Sequence, residues 1–343
     1  MRSRSVAIFG TSLAFAYSIG AYSAWKDLFP APQLRSVVAR IKAPSPPERA
    51  PWGNGFEEVS IPGPAQQRAY FHQSRKSAPL VVSLHTWIGD FTEVDPIAEL
   101  VRSEGWSYLH PDFQGPNRAP EACLSSRALE DIDDAIAFGL TQGADPDNVF
   151  VVGVSGGGYA ALGAYVRSAH RVKAFLSWAP IADLEAWYHQ SRAQRNGYVD
   201  QLLACTRSGL TLDLAHAAER SPLRWPIPTQ PRGRLEIFAG IDDGYVGSVP
   251  VTHAIAFFNR VARHTGFADA AVREDEILAL ASRAVDPKPG LGTIEGREVL
   301  FRSEAPPVSL VIFAGHHELL ARHAVERIRL LVHTSTSGGG SGQ

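Results

Sequence analysis

The chain has 343 residues, with 33 basic and 35 acidic side chains and a formal net charge of −2. That balance leaves no basic excess to attract nucleic acid and no acidic run of the kind that stays unfolded. With 45% hydrophobic and 20% charged residues, the composition is that of a globular domain long enough to bury a core.

The N-terminus opens Met1-Arg2-Ser3-Arg4 and then runs from Val6 to Trp25 without a charge. Basic residues before an apolar stretch predict a signal peptide or an uncleaved membrane anchor over residues 1–25. Either one exports the body, which is then periplasmic, secreted or anchored, because Arg2 and Arg4 stay inside. Membrane contact is expected through this segment only. Residues 26–53, with Pro44, Pro46 and Pro47 close together, read as a Pro-rich extended linker. Residues 334–343 are Ser/Gly-rich and read as a disordered tail, which leaves 54–333 as the folded body.

Within the body, short apolar runs alternate with helical patterns. Arg68–Gln73 reads as an early strand. Leu80–His85 is a continuous apolar run, the mark of a strand buried on both faces. Ser107–Leu109 begins a short strand. Leu129, Ile132, Ile136 and Leu140 recur at helical spacing between Ser126 and Leu140. Val149–Val154 is a buried strand, Gly157–Ser168 a helix and Phe175–Trp178 a strand. Leu235–Ala239 and Ser309–Phe313 complete the series. This rhythm predicts an α/β fold with a mostly parallel sheet and helices on both faces. Residues 181–233 interrupt it with helical segments and no core strand, and read as a small cap insertion over the site. Residues 268–296 read as a second, helical and loop-rich excursion.

The segment Gly153-Val154-Ser155-Gly156-Gly157 matches G-x-S-x-G. A buried strand runs into it and a small-residue helix runs out, which is the setting of a nucleophile elbow in an α/β-hydrolase fold. The nucleophile there sits on a strained turn, and side chains two positions away on either side would collide. The helix N-terminus also offers the Gly156 N–H to an oxyanion. A serine hydroxyl needs a base, and in this fold the acid follows in sequence and the histidine comes last. Asp242 and Asp243 follow the Leu235–Ala239 strand; His316 and His317 follow Ser309–Phe313. The pattern does not itself choose within either adjacent pair.

From about Phe56 to Val332 the chain resembles the prolyl-oligopeptidase-like and acetyl-esterase branch of the α/β-hydrolases. Gly240, Asp243 and Val246 match that branch's G-x-x-D-x-x-V, and Phe313, Gly315, His317 and Glu318 match its F-x-G-G-H-E, with His316 in place of the second glycine. The resemblance implies Asp243 and His317 as partners of Ser155. It also likens Leu84-His85-Thr86-Trp87 to the branch's H-G-x oxyanion segment, with Thr86 in place of glycine. The second oxyanion donor is then the Trp87 N–H, with Thr86 as runner-up, and His85 holds the loop.

No cofactor or metal is required. The two cysteines, Cys123 and Cys205, belong to no C-x-x-C pair; export favours a Cys123–Cys205 disulfide. Trp87, Trp178, Trp187 and Tyr188 are expected near the rim, either as stacking platforms for sugar rings or, with more weight for the tryptophans, as core or cap packing, and Arg118 is expected to meet a carboxylate. Only about 50 residues precede the body, too few for the propeller of the larger peptidases. These features set an order: first a carboxylic-ester hydrolase acting on acylated glycans or small esters, second a serine peptidase of small peptides, third a non-catalytic binding protein on a hydrolase scaffold.

Overall fold

The computed structural model describes residues 53–333 apart from 54, 65 and 287–289. The expected signal or anchor over 1–25, nearly all of the linker and the 334–343 tail lie outside the described residues. In chain order the elements are β1 (Glu57–Ile61), β2 (Gln67–His72), β3 (Leu80–Leu84), α1 (Ala98–Ser103), β4 (Ser107–Pro111), α2 (Ser126–Thr141), β5 (Val149–Val154), α3 (Gly156–Arg167) and β6 (Ala174–Trp178). There follow α4 (Leu184–Gln194), α5 (Tyr198–Cys205), α6 (Leu214–Glu219), β7 (Arg234–Gly240), α7 (Thr252–His264) and α8 (Glu274–Ala281). The chain closes with β8 (Thr293–Ile294), β9 (Arg297–Ala305), β10 (Val308–Phe313) and α9 (Ala321–Val332).

The strands form one sheet in the order β1-β2-β4-β3-β5-β6-β7-β10-β9-β8. From β4 to β10 every neighbouring pair is parallel, and the pairs at the two ends are antiparallel. The continuous apolar runs follow from burial on both faces. Strand alternation sends Leu80, Val82, Val149 and Val151 into one core, shared with Ile132 and Ile136 of α2 and Phe257 and Phe258 of α7. Val81, Phe150 and Val152 point into the other, shared with Val101 of α1 and Ile328 of α9. The N-terminus of α2 is set by Ser125, whose hydroxyl oxygen accepts the Ala128 N–H at 2.9 Å.

Two strands go beyond the expected series. The stretch from Glu57 to Ile61 is a strand, and the 268–296 excursion leads into a long strand, β9, beside the two-residue edge strand β8, that apolar runs did not reveal. Arg297, Glu298, Arg302 and Glu304 break the apolar run there, because β9 lies near the sheet edge and buries mainly Val299, Leu300, Phe301 and Ala305.

Between β6 and β7 the chain forms α4, α5 and α6 without a strand. Asp183 caps α4, accepting from Glu185 N at 2.9 Å and Ala186 N at 3.1 Å, and holds Arg224 at 2.7 Å. A Cys123–Cys205 disulfide, with Cα atoms 6.1 Å apart, ties α5 to the segment before α2. Beside it, Arg220 donates to the carbonyls of Ala122 at 2.7 Å and Pro120 at 2.9 Å. The Tyr159 hydroxyl of α3 donates to Arg220 O at 2.6 Å.

Candidate active site

The C-terminal ends of β3, β5, β7 and β10 lie along one edge of the parallel region, and each delivers one part of the site. β5 ends in Ser155, which adopts φ 59° and ψ −117° as it turns the chain into α3. Left-handed backbone at a non-glycine residue stores strain, and the surrounding packing must hold it. It does so by backbone against backbone. A Cβ at Gly157 would stand 2.0 Å from Leu84 O, and one at Gly156 would stand 2.2 Å from Trp87 N. Ser155 N donates to Trp178 O at 2.9 Å, which fixes the turn to β6.

β7 ends at the acidic pair, and the structure separates its members. Asp243 is 1% exposed, and its Oδ1 accepts Gly244 N at 2.9 Å and Val249 N at 3.0 Å. Its Oδ2 accepts the Nδ1–H of His317, which follows β10, at 2.7 Å. Asp242 instead faces outward toward Arg283 at 3.3 Å and His316 at 3.8 Å. One pair is therefore inward and the other superficial. Ser155 and His317 line the same cavity of about 270 Å³. Among the described residues no hydrogen bond to Ser155 Oγ is formed, so the hydroxyl and imidazole share a space without a closed contact. Such contacts are often long in unliganded sites and tighten when substrate arrives.

After β3, the Trp87 backbone lies directly against Gly156, as the 2.2 Å close approach requires. Thr86 N is taken by Glu93 Oε2 at 2.7 Å, whereas no acceptor among the described residues takes Trp87 N. Of the two donors left open by the sequence, Trp87 is therefore the one facing Gly156 with its N–H available. His85 holds the loop: its ring nitrogens hydrogen-bond the carbonyls of Thr86 at 2.9 Å and Asp112 at 2.8 Å, and it stacks on Phe113.

The remaining wall of the cavity is apolar, from Trp87, Ile88, Pro96, Val154, Tyr198 and Leu319. Tyr198 begins α5 and brings the cap into the site; sequence reasoning did not single it out. Burial pushes its phenol above the ordinary tyrosine range and Asp243 adds to that, so it stays protonated. Glu93, in a polar stretch after β3, was also missed. No group of His, Cys, Asp or Glu among the described residues is arranged to hold a metal ion.

Of the proposed sugar platforms, Trp87 lines the cavity and the other three do not. Trp178 is wholly buried on β6, stacked on Phe238 with ring centroids 4.1 Å apart. Trp187 is wholly buried behind Trp87 and Tyr198, with its Nε1–H on Ser248 O at 2.8 Å. Tyr188 is buried and packs beside Arg192, away from the cavity lining. Arg118 is exposed and does not line the cavity. Trp178 packs a core and Trp187 supports the cavity wall from behind.

No family model matches the chain, and no curated protein matches it. Solved structures do. An acylaminoacyl peptidase of Pyrococcus horikoshii aligns over 81% of this chain and 41% of its own, at 16% identity and a TM-score of 0.54. A puromycin-hydrolyzing peptidase of Mycobacterium tuberculosis aligns over 80% and 37%, at 18% identity and 0.52. Dipeptidyl peptidase 4 of Porphyromonas gingivalis aligns over 81% and 35%, at 14% identity and 0.52. The chain thus spans about two fifths of the length of these neighbours. It shares the fold of these neighbours, the α/β-hydrolase fold, with a mostly parallel sheet and helices on both faces. The order of activities set out from the sequence is corrected accordingly. The neighbours are peptidases, and the aromatic rim that favoured an acylated glycan is packed inside the protein.

Proposed function

We propose that the chain is a serine peptidase of small peptides, working through an acyl-enzyme with Ser155 as nucleophile. The observation that carries the reading is the shared cavity of Ser155 and His317, with Asp243 hydrogen-bonded behind the imidazole at 2.7 Å. Asp243 Oδ2 holds Nδ1–H, so the free Nε2 is the basic atom and the imidazolium formed later is stabilised. His317 takes the Ser155 proton as Oγ attacks the scissile carbonyl. The Gly156 and Trp87 N–H groups receive the oxyanion, an arrangement in which each donor contributes about 2.7–4 kcal/mol in the transition state. His317 then protonates the leaving amine, and a water activated by the same imidazole releases the acid.

The apolar wall of Trp87, Ile88, Pro96, Tyr198 and Leu319 fits an apolar residue beside the scissile carbonyl. The peptidase likeness of the fold neighbours supports an amide rather than another acyl substrate. Initial rates on a panel of aminoacyl and N-acylaminoacyl anilides test this. Wild type is expected to release the amine from substrates with apolar residues, and Ser155→Ala to fall to background. Anilides left intact by wild type, or full activity in the mutant, would overturn it.

A further inference from the structure

The peptide bond between Thr86 and Trp87 carries the donor that faces Gly156, so whatever fixes that peptide fixes the oxyanion site. Its carbonyl end is held by His85 Nδ1 at 2.9 Å and by Gly89 N at 3.2 Å. A trans peptide points its N–H away from its carbonyl, which aims Trp87 N–H off this anchored side. The Thr86 side of the unit is held by a single residue. Glu93 is 9% exposed and spends both oxygens on Thr86: Oε2 accepts the N–H at 2.7 Å and Oε1 accepts the hydroxyl at 2.7 Å. Burial raises the Glu93 carboxyl above its ordinary range even though the two Thr86 bonds pull it down. Keeping a carboxyl in such a place costs free energy, which the two Thr86 bonds offset first and the nearby His85 ring second.

The turn is shaped around that carboxylate. A Cβ at Gly89 would stand 2.1 Å from Glu93 Oε2, so the glycine leaves the space the side chain occupies. Glu93 does not line the cavity that holds Ser155. We infer that Glu93 is a positioning residue: through Thr86 it orients the Trp87 N–H toward the oxyanion, and it never touches substrate. The inference rests on the reading of Ser155 as nucleophile.

The test compares Glu93→Ala, Glu93→Gln, Gly89→Ala and the Glu93→Ala/Gly89→Ala double variant. Each is measured for kcat and KM on the best anilide, for inhibition by a peptide aldehyde that forms a tetrahedral adduct, and for melting temperature. Glu93→Ala should lower kcat by about 30- to 100-fold, below the full loss of one oxyanion donor, with KM within about threefold. Aldehyde affinity should fall by the same factor as kcat/KM, because only the tetrahedral species uses the donor. Glu93→Gln keeps an acceptor for Thr86 N–H and can donate to the Thr86 hydroxyl, so it should recover to within about threefold of wild type. Gly89→Ala displaces the carboxylate and should reproduce Glu93→Ala; combining the two should add little.

The inference fails if Glu93→Ala keeps kcat within about twofold of wild type, or if it raises KM while aldehyde binding is unchanged. It also fails if glutamine is as damaging as alanine, since the charge and not the two bonds would then matter. Should Glu93→Ala not fold, Thr86→Val removes the hydroxyl bond alone and should lower kcat with aldehyde affinity in parallel; unchanged values there overturn it too. Turnover persisting in Ser155→Ala is a different failure: it removes the nucleophile reading on which the inference stands.

Discussion

The proposed nucleophile elbow at Ser155 and the helical insertion reach the same cavity and are built in opposite ways. Around Ser155 the contacts are backbone on backbone, with Gly156 and Gly157 pressed on Trp87 and Leu84. The insertion delivers Tyr198 on α5 and is held by side chains: the Cys123–Cys205 disulfide, the Arg220 bonds to Ala122 and Pro120, and the Trp87 Nε1–H on Gln201 at 2.8 Å. A backbone contact has no substitute, whereas side-chain ties can be loosened one at a time. The elbow should therefore break all at once and the insertion by degrees.

The largest effect is expected at the elbow. Gly157→Ala places a methyl group 2.0 Å from Leu84 O and cannot be relieved by rotating a side chain. It should cost at least about 3 kcal/mol in denaturant titrations and lower kcat/KM by about 10²-fold or more. Ordinary stability in this variant would show that the elbow is not pinned as described. A smaller and graded effect is expected in the insertion. Replacing Cys123 and Cys205 together by Ser should cost about 2–5 kcal/mol and mainly raise KM, since the elbow is untouched and Tyr198 is released. A loss confined to kcat would contradict the division of labour between the two regions.

The smallest effect concerns pH and compares the histidines inside the sheet and the insertion. Burial pushes His110, on β4, and His253, on α7 beside the insertion, each down to about 4. His253 is built for the neutral ring: Nδ1 accepts Ala182 N at 3.1 Å, and Nε2–H donates to Gln190 at 2.8 Å. The unfolded chain takes up protons near the ordinary value of about 6.5, above the folded value. Below that pH the unfolded state binds more protons than the folded one, so stability is fully present above about 6.5 and falls as pH drops toward 4. His253→Gln should flatten part of that slope in denaturant midpoints measured between about pH 7 and 4. An unchanged slope would mean that His253 is charged when folded.

The sequence made the elbow legible because its demands are local: glycine where backbones touch, and a buried strand running into the serine. β3, β5 and β10 were legible for a related reason, since burial on both faces leaves a continuous apolar run. β9 was not, because a strand next to the sheet edge keeps charged residues such as Arg302 and Glu304 on its solvated side. The choice between adjacent residues at the acid and base depended on which one faces inward, and periodicity does not report that across a loop. The tryptophans misled for the converse reason. An aromatic residue after a strand looks the same in a sequence whether it ends at a rim or, as with Trp178, against Phe238. Glu93 left one faint signal, a carboxylate seven residues after Thr86 across a turn containing Gly89. Its meaning appears only when both of its oxygens are seen on Thr86.

The central claim is that Ser155 is made reactive by His317, and labelling with a fluorophosphonate tests it most directly. Mass mapping of the folded protein should place the phosphonyl group on Ser155, with the labelling rate falling by about 10³-fold or more in His317→Gln. A label found elsewhere, or a rate on Ser155 that ignores the loss of the imidazole, would contradict the account.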